Sequence, residues 1–396
     1  MSNATGDKQY SFTTRLLIAD RNMGDELSVA PPIHQEVNNI ARDAADFAEI
    51  SSVPQGDRFY ARHGNPTSSR LARVIADLEG GEAGMIFASG MGAITTTLLA
   101  FLKSGDHVVT QNNHYIGTTE MTTHVLPQYG VQSTKIDQRS VSAFEEAIQP
   151  NTKLILLETP VNPLMHVTDL MAVSELAKSR GILTFCDNTF ATSINQRPME
   201  FGVDIVMHSA TKYIGGHHDL LSGSITASHQ IIDKIWDMSM NTGAIPAPFN
   251  SWLALRGIRT LELRVKQQNA NGLAIAQYLE DHSAVESVYF PGLENHPQHA
   301  LACAQMSGFG GLLTFELKGG YDAGINFIQN LKLVKNAGSL GGVCSILIQP
   351  AVMFGGRLSK ELVEEQGITP GMIRFAAGIE NTEDLLTDVG QALDRS

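Results

Sequence analysis

Over its first half the chain alternates short apolar runs with longer amphipathic stretches. The runs at 85–88, 107–111, 132–136, 153–158, 182–186, 205–207 and 223–227 are short and mostly bounded by glycine, proline or small polar residues, so they predict strands. Helices fit between several of them, at 91–102, 141–148 and 169–180. The last is the best marked. Leu170, Val173, Leu176 and Ala177 make one apolar stripe, Asp169 stands where it can cap the N-terminus, and Lys178 and Arg180 suit the C-terminal dipole before Gly181. Another helix runs to about Glu79, with Thr67 or Ser68 available to cap it. Such alternation predicts an α/β fold, a mostly parallel sheet covered on both faces.

The pattern changes at both ends. Residues 1–60 are broken by Pro31-Pro32, Asn38-Asn39, Pro54 and Gly56, which predicts an extended arm with one short helix at 33–40. A neighbouring subunit is the expected surface for that arm. From Ser251 to about His282 runs a long amphipathic pattern. Beyond it strands are expected at 311–317, 331–334 and 372–376, with helices at 321–330 and 382–395. The expected division is an arm at 1–60, a large domain at 61–255 and a smaller α+β domain at 256–396.

Composition narrows the classes of function. The 396 residues carry 28 basic and 41 acidic side chains, a net charge of −13 with no basic cluster, which argues against a nucleic-acid partner. Cys186, Cys303 and Cys344 are odd in number and far apart. That argues against a disulfide framework and for a reducing, cytoplasmic compartment, and the N-terminus shows no apolar secretion core. Residues 84–102 are uncharged over a length that could cross a bilayer. Ser89, Gly90, Gly92 and three threonines from Thr95 nevertheless fit a strand, a tight turn and a helix, so a soluble protein is expected.

Candidate chemistry collects just past the carboxyl ends of the predicted strands, where open α/β sheets bind ligands. Ser89-Gly90-Met91-Gly92 follows the first strand. Two glycines before a helix let backbone N–H groups approach an anion, and the third glycine of the dinucleotide fingerprint is missing. Asn162 follows the fourth strand, between Pro160 and Pro163, and Asp187 follows the fifth. Lys212 follows the sixth, in Ser209-Ala210-Thr211-Lys212-Tyr213, flanked by hydroxyls suited to a phosphate. Burying a lysine is costly unless its pKa falls, and a depressed pKa is what an imine-forming amine needs. Phosphate-binding backbone, amide, acid and desolvated lysine together predict pyridoxal 5′-phosphate (PLP), with the acid keeping the ring nitrogen protonated so that the ring accepts electrons.

At this point the sequence resembles the Cys/Met-metabolism family of PLP-dependent enzymes, of aspartate-aminotransferase-like fold type I. That family includes cystathionine γ-synthase, cystathionine γ- and β-lyases, methionine γ-lyase and O-acylhomoserine sulfhydrylases. The likeness runs from Tyr60 to the final helix. It rests on Tyr-Ala-Arg-His-Gly-Asn-Pro-Thr at 60–67, Ser-Gly-Met at 89–91, Glu-Thr-Pro-Val-Asn-Pro at 158–163, Asp-Asn-Thr at 187–189, Ser-Ala-Thr-Lys-Tyr at 209–213, Ser-Leu-Gly-Gly at 339–342 and Ile-Arg-Phe-Ala-Ala-Gly-Ile-Glu at 373–380. The resemblance implies Lys212 as Schiff-base lysine and proton shuttle, Asp187 on the pyridinium nitrogen and Asn162 beside the phenolic oxygen. It places Gly90, Met91, Ser209 and Thr211 around the phosphate. Tyr115 is implied as the stacking aromatic that assists proton transfer, Arg374 as the clamp for the substrate α-carboxylate, and Ser339 as the group orienting the Lys212 amine. Tyr60 and Arg62 would reach the phosphate of a neighbouring subunit, which implies an active dimer, usually paired into a homotetramer.

Departures from the family pattern fall where the outer substrate pocket is expected. Ile116-Gly117-Thr118-Thr119-Glu120 follows Tyr115 where Gly-Gly-Thr is usual, and Glu120 lies near a position where cystathionine enzymes often carry arginine. Cys344 replaces a glutamate, His218 stands where serine is common, and Arg357 ends a segment that usually reads Pro-Ala-Met-Thr-His. The expected activity is γ-elimination on an amino acid with a γ-leaving group, releasing a 2-oxo acid and ammonia. Glu120 is expected to make the distal pocket anionic and suited to a cationic substituent such as the guanidino-oxy group of canavanine. A γ-substituting synthase acting on O-acylhomoserine shares every residue up to the vinylglycine-type intermediate, and a β-lyase differs only in where the leaving group sits. An inactive scaffold is disfavoured by the complete set of lysine, acid, arginine and tyrosines. Cys344 reads as a packed small residue, and His217, His218 and Asp219 do not read as a metal site.

Overall fold

The computed structural model describes residues 10–24, 27–354, 363 and 367–396, so Arg357 lies outside the described residues. Seven strands form the first sheet: β1 (Ala83–Phe87), β2 (His107–Gln111), β3 (Gln132–Ile136), β4 (Thr152–Glu158), β5 (Leu183–Asp187), β6 (Ile205–His208) and β7 (Gly223–Ala227). Their order is β1-β7-β6-β5-β4-β2-β3, and only β7 runs antiparallel to its neighbours. β4 shows why both faces are covered. Leu154 and Leu156 join Leu98, Phe185 and Ile205 on one side, while Ile155 and Leu157 join Phe144, Val173 and Val206 on the other. Helices Gly90–Phe101 and His229–Thr242 supply the first cluster, and Val141–Ala147 and Leu170–Ser179 the second. Asp169 caps the last of these, accepting from the Ala172 N–H. Parallel pairing gathers the carboxyl ends on one edge, where Glu158 stands beside Asp187 in the register.

A second sheet contains β8 (Val285–Tyr289), β9 (Leu312–Leu317), β10 (Lys335–Asn336), β11 (Ile346–Ile348) and β12 (Met372–Ala376), ordered β10-β11-β12-β9-β8. Leu313, Phe315, Ile373 and Phe375 pack it on helices Leu261–Glu280, Gly320–Asn330 and Thr382–Leu393.

Three expectations are corrected. Residues 33–40 form no helix: Asn38 bridges Tyr60 in antiparallel fashion, and the Ala61 N–H donates to Val37 O at 2.7 Å. Val37 and Ile40 are 55% and 95% exposed, so that segment had no face to bury. The arm's helices are instead Phe12–Ile18 and Ala44–Ser52, the second capped by Asp43. The pattern from 251 to 282 breaks at Arg259 and Thr260 into helices Pro248–Ile258 and Leu261–Glu280. Residues 331–334 are not a strand, because the Asp388 carboxylate takes the N–H groups of Lys332, Leu333 and Val334 at 2.8, 2.8 and 2.9 Å.

The loop leaving β6 is fastened from beneath by Arg264, buried on helix Leu261–Glu280. Its Nη1 donates to Tyr213 O at 2.7 Å and its Nη2 to Gly257 O at 2.8 Å. Gly216, at φ 73°, permits this approach, since a Cβ there would collide with the guanidinium. Arg264→Met should leave these carbonyls unpaired and lower the unfolding free energy by about 3 kcal/mol or more, measured by urea titration.

Candidate active site

Lys212 lines a cavity of about 210 Å³ at the carboxyl edge of the first sheet, together with Gly90, Met91, Tyr115, Asp187, Ser209 and Thr211. Its Nζ donates to Ser339 Oγ at 2.8 Å. Ser339 sits at φ 90°, and its carbonyl accepts from Arg374 Nη2 at 2.9 Å. The second sheet thus delivers Arg374 from β12, and the loop before β11 delivers Ser339, onto a lysine supplied by the first. Burial first, and the Arg374 charge second, pull the Lys212 pKa down to about 8, against a smaller opposite pull from Asp187.

Asp187 closes β5. Burial and the neighbouring Glu158 carboxylate push its pKa up to about 6, while Thr189 and His208 act the other way. The Thr189 hydroxyl donates to Asp187 Oδ1 at 2.5 Å and accepts from the Ser209 N–H at 2.8 Å. One side chain therefore fixes both the acid and the start of the lysine loop. At the other end of the cavity, Ser89 caps helix Gly90–Phe101 by accepting from the Gly92 N–H at 3.0 Å. A Cβ at Gly90 would stand 3.0 Å from Ser209 Cβ, so the glycine keeps that helix N-terminus close to the serine. The Thr211 hydroxyl is engaged with Ser222, donating to its O at 3.1 Å and accepting from its N–H at 3.0 Å.

The other predicted residues lie outside this cavity lining. Asn162 is held between cis Thr159-Pro160 and cis Asn162-Pro163, and its buried Oδ1 has no partner among the described residues. Tyr60 and Arg62 are likewise not among the cavity's lining, and the Arg62 guanidinium stands 5.6 Å over the ring of Tyr60, which is 39% exposed. Glu120 ends the short helix Ile116–Glu120 that begins after Tyr115, half-exposed and 4.0 Å from His124. Cys344 is exposed. Among the described residues no three His, Cys, Asp or Glu side chains are grouped to hold a metal ion, and no helix is long and apolar enough to cross a membrane.

Two contributors carry no role in the sequence reading. Glu158 accepts from the Tyr115 N–H at 2.6 Å and so positions the aromatic, and Thr189 holds Asp187. The signal for Glu158 was an acid closing a strand beside the strand that ends in Asp187. The arrangement fits PLP: a carboxylate for the ring nitrogen, an amine beside it and a glycine-lined helix N-terminus for the phosphate.

A pKa near 8 means that the neutral fraction of the Lys212 amine rises through pH 8. In cofactor-free protein, reductive methylation of this lysine by formaldehyde and borohydride should have a midpoint about two units below that of surface lysines. Arg374→Met removes the neighbouring charge and should move the midpoint up. Mass-spectrometric peptide mapping across pH reads both.

The model of the family described as Cys/Met metabolism PLP-dependent enzyme matches residues 13–394. The chain is 46% identical over 336 residues to cystathionine gamma-lyase of Bacillus subtilis (strain 168), covering 85% of this chain and 88% of that one. It is 40% identical over 371 residues to L-methionine gamma-lyase of Fusobacterium nucleatum subsp. nucleatum, covering 93% and 94%. The crystal structure of metB from Corynebacterium glutamicum matches with a TM-score of 0.90 at 35% identity, over 98% of each chain. With Lys212, Asp187 and the Gly90 turn brought to one cavity, the chain belongs to the Cys/Met metabolism family of PLP-dependent enzymes.

Proposed function

We propose that the enzyme performs γ-elimination on an L-amino acid carrying a leaving group on Cγ, releasing a 2-oxo acid and ammonia. The observation that carries this reading is the chain from Lys212 through Ser339 to Arg374. It joins an amine able to change protonation near neutral pH to a carboxylate clamp. Arg374 keeps a buried Nε with no partner among the described residues, a donor left for the substrate α-carboxylate. Lys212 would take the proton from Cα, give it up to the bound cofactor and, as a free amine again, take one from Cβ, with Ser339 Oγ steering the amine between the two positions. Asp187 holds the proton on the ring nitrogen, and Glu158 keeps Tyr115 over the cavity. Bound PLP supplies the electron sink for negative charge developing on the substrate carbons. Both γ-lyase relatives support elimination, although substitution at Cγ and β-elimination would employ the same groups.

The finer reading concerns the assembly and the distal pocket. Exposed Tyr60 and Arg62 are assigned to the phosphate site of a second copy, in a cytoplasmic dimer that pairs into a tetramer. Glu120 is assigned to the recognition of a cationic γ-substituent such as that of canavanine.

A panel of methionine, cystathionine, canavanine and O-acetylhomoserine, with product identification, tests the reaction. A four-carbon 2-oxo acid is expected. Pyruvate from cysteine-type substrates alone, or a new thioether formed only when a thiol is added, would redirect the assignment. Glu120→Gln should lower kcat/KM for canavanine relative to methionine by about fivefold. An unchanged ratio would remove Glu120 from the pocket.

A further inference from the structure

One part of the lysine loop has no task in the reaction above. His217 Nδ1 lies 2.8 Å from Gly215 O and is engaged within the loop. His218 is different. Its φ is 59°, a left-handed conformation that glycine adopts freely and a histidine does not. Its ring lies over Gly342, where any Cβ would collide with the imidazole. Nor is the loop slack. The Gly216 N–H donates to Lys212 O at 2.7 Å, the Val343 N–H donates to Gly216 O at 2.9 Å, and Arg264 holds Tyr213 O. A strained residue on a loop fastened at three places is held in its pose by its surroundings.

The cavity that His218 lines gives the pose a purpose. His218, Asp219, Asn250 and Ser339 line a second cavity of about 550 Å³. Thr211 and Leu221 line both this cavity and the one containing Lys212, so the two adjoin. Ser339 is the residue whose Oγ holds Lys212 and whose carbonyl holds Arg374. A substrate clamped by Arg374 therefore has, beside its reacting carbons, a chamber that His218 and Asp219 help to line. We propose that His218 is a specificity-determining residue whose imidazole hydrogen-bonds a polar head carried on the leaving group. Substrates whose γ-substituent ends in an amino-acid or guanidino head are favoured over those ending in a methyl group. The proposal rests on the γ-elimination reading and adds to it a residue and a substrate class.

His218→Gly tests it, because glycine suits the left-handed backbone and removes only the ring. In PLP-loaded enzyme, kcat/KM is measured for cystathionine and for methionine. The ratio of the first to the second should fall about tenfold, mainly through KM. A histidine with a purely structural role would move both substrates together, and a ratio within about twofold of the unsubstituted enzyme's overturns the proposal. Dissociation constants measured by calorimetry in the Lys212→Ala background read the same ratio without turnover. A tenfold shift there with no 2-oxo acid from the unsubstituted enzyme would keep the role of His218 and remove γ-elimination. Turnover with an unmoved ratio would do the reverse.

Discussion

Keeping one amine out of water governs how the two sheets meet. The fall of the Lys212 pKa from 10.5 to about 8 corresponds to a penalty on the protonated form, relative to water, of about 3 kcal/mol. Neither sheet could impose that penalty alone. The first brings the lysine past the end of β6, and the second covers it with Ser339 and Arg374. The hydrogen bond to Ser339 Oγ keeps the amine aimed, and the nearby guanidinium disfavours its protonation. Reactivity at Lys212 is therefore a property of the docked pair of sheets, and a change at their seam reaches the amine without touching it.

The same edge holds an unresolved conflict between like charges. Parallel register places Glu158 and Asp187 side by side at the ends of β4 and β5. Glu158 is partly compensated by the Tyr115 N–H, and Asp187 by Thr189. Behind them His208 Nε2 lies 2.5 Å from Glu79 Oε1, both side chains buried. Burial and repulsion still push the Asp187 carboxyl upward. A cationic ring nitrogen would relieve both effects at once. A site chosen for stability alone would not carry this pair, and sites where local rules conflict are where function is expected to show.

How much of this was legible follows from the range of each signal. The central strands were legible because burial on both faces writes them as short, nearly continuous apolar runs closed by turn residues. Lys212, Asp187 and Gly90 were legible because each follows such a run directly. Segment 33–40 misled because Val37 and Ile40, at helical spacing there, stay more than half exposed, and its backbone pairs with the stretch at Tyr60 instead. The strand expected at 331–334 was overruled by Asp388, more than fifty residues away along the chain, which no local pattern could announce. Thr189 and Arg264 were hidden for a similar reason. A threonine after an acid and an arginine on an amphipathic helix are ordinary in sequence, and only their partners make them structural.

The reacting groups and the substrate-facing groups are held by different kinds of structure. Asp187 and Glu158 are placed by strand register, which cannot slip by one residue without turning buried side chains to the wrong face. Ser339 and His218 are placed by left-handed backbone in loops. Loop geometry of this kind can change at one position while the sheet stays as it is. Ser339 is the exception that ties the two together. Its hydroxyl holds the Lys212 amine and its carbonyl the Arg374 guanidinium, so altering it disturbs both partners at once. His218 touches neither Lys212 nor Arg374 through any hydrogen bond found among the described residues. A change at His218 therefore leaves the hydrogen bonds among Lys212, Ser339 and Arg374 in place.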